Sequence, residues 1–135
     1  SKEKNHYCVA DRYFNTYTVN ICCKIRLNNM ETKRFAFKMK LYPGFKEEYR
    51  KRHTEIWPEL VRLLNNEGIG NYSIFLDEET NTLFAYQEQS GSGSSQDLGK
   101  TEIVKKWWKY MADIMESNPD NSPVTIPLEH MFFME

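Results

Sequence analysis

Apolar and polar residues alternate along "RFAFKMKL" (residues 34–41), with Phe35, Phe37, Met39 and Leu41 on one face and Lys38 and Lys40 on the other. A period of two predicts a half-buried strand. Pro43-Gly44 ends it, and the period then lengthens to 3.6. Tyr49, His53, Ile56, Trp57, Leu60 and Leu64 fall on one helical stripe, while Arg50, Lys51, Arg52, Glu55, Glu59 and Arg62 fill the rest of the circumference. This helix runs to about Glu67, and Gly68 and Gly70 close it. Pro58 has no N–H, so the Thr54 carbonyl loses its usual helical partner and the helix should bend or restart just after His53.

"NYSIFLD" (71–77) and "TLFAYQE" (82–88), joined by "EETN", predict two further strands. Tyr72, Ile74 and Leu76 share one face of the first, with Ser73 and Phe75 on the other. "SGSGSSQDLGK" (90–100) has the composition of a flexible surface loop. Thr101 is positioned to cap a second helix, with Glu102 in its first turn and Val104, Trp107, Trp108, Met111 and Met115 as its apolar stripe. "SNPDNSP" (117–123) is too rich in turn formers for helix or central strand, and "LEHMFFM" (128–134) reads as the last strand. Met39, Met111, Met115, Met131 and Met134 read as gap-filling core residues.

The order β-α-β-β-α-β predicts an α+β domain of ferredoxin-like plan, an antiparallel four-stranded sheet with both helices on one face. The opposite face carries apolar side chains and would lie bare. If Tyr72 points under the helices, Phe75 must point away from them. A two-fold homodimer packed sheet against sheet, a dimeric α/β barrel, is the expected cover.

A chain of 135 residues has room for one domain. Residues 1–29 hold five Lys or Arg against two Asp or Glu, and the remainder thirteen against seventeen. The mildly acidic body lacks the clustered cations that nucleic acid requires. Cys8, Cys22 and Cys23, the only cysteines, fall in those first 29 residues at no zinc spacing, and a cysteine-free body suits a reducing compartment. No apolar run approaches a membrane span or a secretory signal, so the cytoplasm is the expected location. Met30 is the first methionine, and helical periodicity begins only after it. Residues 1–29, with one short alternating piece around Tyr17, Val19 and Ile21, therefore read as an extension outside a functional domain at 30–135.

His53 is the residue that the amphipathic pattern does not explain. A lone histidine on an apolar helix face is more often a hydrogen-bonded core residue than a catalyst. Here Tyr49 lies one turn earlier on the same face, and the proline break follows. Histidine is also the side chain whose free pKa permits proton transfer in both directions near neutrality. Adjacent Trp107 and Trp108 project about 100° apart on a helix and cannot fill the same core site; one can pack while the other forms a flat wall suited to the C–H face of a sugar ring. His6, His53 and His130 have no Cys or Asp at ligand spacing, so no metal is expected, and there is no glycine-rich phosphate loop, dinucleotide fingerprint or nucleophile elbow.

With "EEYRKRHTEIWPEL", "GIGNYSIFLD", "WWKYM" and "NPDNSP" in this order, the body from about Arg34 to Phe133 resembles the L-rhamnose mutarotase family. The resemblance implies a cytoplasmic, dimeric, cofactor-free enzyme of ferredoxin-like fold that interconverts the α and β anomers of L-rhamnose. It places the proton-donor histidine on His53 and substrate contacts on Tyr49, Tyr72, Trp107 and Trp108. Two stretches depart from the family pattern. Residues 1–29 have no counterpart, and residues 90–99 are Ser/Gly-rich where the family usually carries a charged, helix-forming stretch with a tryptophan. The alternative readings are a cofactor-independent monooxygenase of the same architecture and a non-catalytic sugar-binding or regulatory module.

Overall fold

In the computed structural model, which describes residues 31–135, the first alternating stretch forms strand β1 (Lys33–Lys40). The expectations for residues 1–29, including the alternating piece around Tyr17, lie outside the described residues. The long amphipathic segment forms two helices rather than one, α1 (Lys46–Thr54) and α2 (Pro58–Asn66). Trp57, in extended conformation, is the N-cap of α2, and Pro58 takes the first helical position, where a missing N–H costs nothing. The restart expected after His53 is present. Gly68 follows the α2 C-cap at φ +78°, the left-handed conformation that glycine adopts without strain.

Strands β2 (Ile69–Asp77) and β3 (Thr82–Gln89) form a hairpin, helix α3 spans Glu102–Met111, and β4 is Ile126–Leu128. Thr101 is the α3 N-cap, as expected, but its side chain makes no capping hydrogen bond. The four strands form one antiparallel sheet in the order β2-β3-β1-β4. Phe37 and Met39 of β1 and Leu41 just beyond it, with Leu83 and Ala85 of β3, pack under Tyr49, Leu60, Val104, Trp107, Trp108 and Met111 of the helices in a single core. No described helix is long and apolar enough to cross a membrane.

The other sheet face is defined by register. Phe84 pairs with Phe75 on one side and Lys38 on the other, and Tyr86 pairs with Ser73 and Ala36. Phe75 is 67% exposed there, and Phe84, Ile126 and Leu128 are also exposed. Two expectations are corrected. The last strand is Ile126–Leu128, not residues 128–134: the pairing with β1 covers Ala36–Lys38 and stops there, although β1 itself continues to Lys33. Pro127 is tolerated because β4 lies at the sheet edge. Met131 and Met134 are not core residues; they are 82% and 76% exposed, on a segment that follows β4 and lies outside the core. Within it, the Arg34 guanidinium lies 3.3 Å above the Phe133 ring centroid.

Arg52 was assigned to the solvated side of its helix, and it is buried instead. Its Nε donates to Glu48 one turn earlier at 2.8 Å, while Nη1 and Nη2 donate to the Asp113 carboxylate at 2.7 and 3.2 Å. Nη1 also donates to the Tyr110 carbonyl, and the guanidinium lies over the Tyr110 ring. The forked, planar cation thus ties α1 to the C-terminal end of α3. Arg52→Ala is expected to destabilise the domain by about 1.5–3 kcal/mol, the range for hydrogen bonds to charged groups. Asp113 is largely solvated, which keeps the loss below that of a fully buried pair. Arg52→Lys should recover only part of it; urea unfolding midpoints measure both.

Candidate active site

Between the sheet and the helices lies a cavity of about 840 Å³, lined by Tyr49, His53, Tyr72, Trp107 and Trp108 together. That volume falls in the ~300–1,000 Å³ range of small-molecule sites. Helix α1 supplies Tyr49 and His53 one turn apart, β2 supplies Tyr72, and α3 supplies the tryptophan pair. All five residues expected from the sequence meet at this one cavity.

His53 is held on three sides. Its ring stacks on Tyr49 with centroids 4.2 Å apart and 22° between planes. Trp107 meets it edge-on at 5.4 Å. Its Nδ1 lies 3.1 Å from the Tyr49 carbonyl oxygen. A carbonyl only accepts, so that bond assigns the hydrogen of the neutral ring to Nδ1 and leaves Nε2 with a free lone pair. Burial lowers the His53 pKa below its ordinary value, outweighing the opposing effect of the Tyr49 carbonyl. The imidazole at this site is therefore a neutral base with a fixed tautomer. Burial pushes the Tyr49 phenol far up, and the nearby Tyr72 adds to the effect, so Tyr49 keeps its proton.

The tryptophans divide differently from the expected core residue and wall, because both are almost wholly buried yet both border the cavity. Trp107 belongs to an aromatic cluster, edge-on to Trp57 at 5.2 Å and tilted against Tyr110 at 5.8 Å. Trp108 lies against the backbone at Gly99, where an added Cβ would sit 2.6 Å from its ring. No side chain fits there without displacing the indole.

Tyr72 owes its position to an irregularity. The β2–β3 register shifts between Gly70 and Ser73, and Asn71 there adopts a left-handed φ of 44°, a conformation that Asn tolerates better than most residues. Such a bulge re-aims the neighbouring side chain. The Tyr72 hydroxyl then reaches Ser95, at 3.4 Å from its Oγ.

Ser95 corrects the reading of residues 90–100 as a flexible surface loop. Ser95–Asp97 form a single 3-10 turn with a capping box: Ser94 Oγ accepts from the Gln96 N–H, and the Asp97 carboxylate accepts from the Ser94 N–H at 2.7 Å. Ser94 and Ser95 are buried. Ser/Gly composition suggested mobility, but the "SSQD" spacing of Ser94 and Asp97 is a capping-box pattern that could have identified the turn. Ser95 and its partner Gln87, with Gln96 at the cavity wall, are site residues that sequence reasoning missed.

Because the folded-state pKa of His53 is lowered, the unfolded chain takes up this proton first as the pH falls through 6.5. His53 thus destabilises the native state progressively from about pH 6.5 down to its folded pKa and contributes no pH dependence above that window. Ring-proton NMR should give His53 a titration midpoint below 6.5. In His53→Gln, the loss of stability between neutral pH and pH 5 should be smaller than in the wild type.

The sequence model of the family described as L-rhamnose mutarotase matches residues 34–134. The L-rhamnose mutarotase of Formosa agariphila is 65% identical over 102 residues, which is 76% of this chain and 98% of the relative. That of Bacteroides thetaiotaomicron is 64% identical over 103 residues, 76% of this chain and 99% of the relative. The crystal structure of the Formosa agariphila L-rhamnose mutarotase superposes with a TM-score of 0.71 at 61% identity, over 76% of this chain and 99% of that one. A conserved protein from Methanosarcina mazei, with a TM-score of 0.51 at 14% identity, shares the fold alone. On this sequence and structural similarity, the chain belongs to the L-rhamnose mutarotase family.

Proposed function

We propose that this chain interconverts the α and β anomers of L-rhamnose, with His53 as the proton-transfer group and Tyr49, Tyr72, Trp107 and Trp108 as the sugar-binding wall. Family membership supplies the substrate, since the relatives are L-rhamnose mutarotases. The observation that carries the chemistry is the fixed neutral imidazole beside the cavity, with Nδ1 committed to the Tyr49 carbonyl.

Mutarotation requires a proton to leave the anomeric hydroxyl while one reaches the ring oxygen. His53 Nε2 takes the O1 proton. The O1–H electron pair forms the C1=O1 carbonyl, the C1–O5 bond breaks, and O5 takes a proton. The exposed aldehyde rotates about the C1–C2 bond, O5 attacks its other face while giving back the proton that it took, and His53 returns its own proton to O1. All bond changes are proton transfers and one reversible C–O cleavage, so the route calls for neither a cofactor nor a metal. General acid–base catalysis of this kind contributes about 10²–10⁴-fold. Tryptophan faces suit the C–H surface of a pyranose, and the tyrosine hydroxyls suit its edge.

The sheet order β2-β3-β1-β4, with the helices packed on one face, supports a ferredoxin-like reading. The exposed Phe75, Phe84, Ile126 and Leu128 support a two-fold homodimer through the opposite face, forming a dimeric α/β barrel. Residues 1–29 serve as an extension outside the catalytic domain at 30–135, and the enzyme acts in the cytoplasm.

Saturation-transfer NMR between the anomeric protons of L-rhamnose tests the reading. Wild-type protein should raise the exchange rate well above that of buffer. His53→Ala and the non-titrating His53→Gln should each reduce the protein-dependent rate by about 10²-fold or more while the circular dichroism spectrum is retained. L-rhamnose binding without acceleration by the wild type would make the chain a sugar-binding module.

A further inference from the structure

Ring opening needs a second group, one that protonates O5 as His53 deprotonates O1. We propose that Tyr72 is this group, and that Gln87 and Ser95 are positioning residues that turn its O–H toward the substrate. The inference rests on the anomer-interconversion reading and names the partner of His53 in it.

The orientation of the Gln87 amide can be read from a donor whose polarity is fixed. The Ser95 backbone N–H can only donate, and it lies 2.9 Å from one side-chain terminal atom of Gln87, which must be the amide oxygen Oε1. Gln89 Nε2 donates to the same oxygen at 3.2 Å. The other terminal atom of Gln87 is therefore the NH₂ group, which donates to Ser95 Oγ at 2.8 Å. Gln96 Nε2 donates to Ser95 Oγ as well, at 3.2 Å. With both lone pairs occupied, Ser95 Oγ gives its single hydrogen to the Tyr72 oxygen at 3.4 Å. Gln87 is 0% exposed, so bulk water offers it no alternative partner.

Tyr72 is thus an acceptor toward Ser95, and its own hydrogen is free for the cavity that it lines. In the reaction the Tyr72 O–H bond breaks as the O5–H bond forms, leaving phenolate opposite the His53 imidazolium. On reclosure O5 returns its proton to Tyr72 and the imidazolium returns its own to O1, so both groups are restored. The Ser95 O–H stabilises the phenolate while it exists. Burial raises the Tyr72 pKa, and the hydrogen bonds from Ser95 and Gln87 oppose that rise. Tyr49, the other cavity phenol, has no hydrogen-bond donor to its oxygen among the described residues, and burial raises its pKa far above the ordinary value. Two tyrosines border one pocket, and among the described residues only Tyr72 receives a hydrogen bond at its oxygen.

The test compares kcat, KM and pH profiles of anomer exchange, with folding checked by circular dichroism. Tyr72→Phe should lower kcat by about 10²-fold. Ser95→Ala should lower kcat by up to about tenfold, the value of one hydrogen bond, with little change in KM, and Ser95→Thr should restore it. Gln87→Glu gives a signature that a merely structural role would not. A protonated Glu side chain at this position donates to Ser95 as the amide does, but the carboxylate only accepts. Deprotonation reverses the chain, draws the Tyr72 hydrogen to Ser95, and should make activity fall with rising pH where the wild type stays level. If Gln87→Glu does not fold, the Ser95→Ala and Ser95→Thr pair decides. An active wild type with kcat unaltered in Ser95→Ala, or with full activity in Tyr72→Phe, would overturn the relay alone. A wild type that does not accelerate exchange would overturn the functional reading beneath it.

Discussion

A proline that cannot donate a hydrogen bond sets the geometry of this protein. Pro58 lies on what would otherwise be one continuous amphipathic helix, and the backbone answers by ending α1 at Thr54 and starting α2 at Pro58 itself. The break leaves His53 in the last turn of α1. It also allows Trp57, at the junction, to pack edge-on against Trp107 and stack on Tyr110. An uninterrupted helix would place Trp57 only by the angle of its turn. With the break, two short helices can meet the sheet independently, and the space between them and α3 is where the cavity opens.

The position of α1 must nevertheless be fixed, because the His53 ring meets Trp107 of α3 and shares the cavity lining with Tyr72 of β2. Arg52, next to it in sequence, spans to Asp113 and the Tyr110 carbonyl, so the ionic clamp on one side of α1 orients the cavity-lining side on the other. Stacking against Tyr49 and the edge contact with Trp107 then confine the ring. None of these contacts is individually large. Aromatic pairs contribute about 0.5–1.5 kcal/mol each beyond burial. Together they restrict the rotational freedom of the His53 ring. The buried polar network around Gln87 performs the same service for Tyr72, through hydrogen bonds rather than packing.

Periodicity made most of the fold legible: the alternating strands, the stripe through Tyr49, His53 and Leu60, and the stripe through Val104, Trp107 and Met111 all pack as their spacing implies. The proline rule located the helix break. Rules about single elements failed where a side chain's fate depends on a distant partner. Arg52 looks like one more surface cation in a charged run, and only the return of Asp113 from 61 residues later makes burial tolerable. Met131 and Met134 have core composition, but composition does not supply a surface to pack against. The five residues that line the cavity together are named by a resemblance of four ordered motifs to one family. Ser95 is not, because its role arises from pairing with Gln87 on a neighbouring strand, which no local signal encodes.

The proposed chemistry depends on a direction: with Nδ1 committed to the Tyr49 carbonyl, Nε2 of His53 is left unprotonated for the sugar. Long-range ¹H–¹⁵N correlation spectra of the ¹⁵N-histidine protein at neutral pH, recorded with and without L-rhamnose, observe both nitrogens directly. The expected result is a protonated, pyrrole-type Nδ1 that sugar leaves in place, and an unprotonated Nε2 whose resonance moves on titration. The opposite tautomer, or an Nε2 resonance indifferent to saturating L-rhamnose, would contradict it.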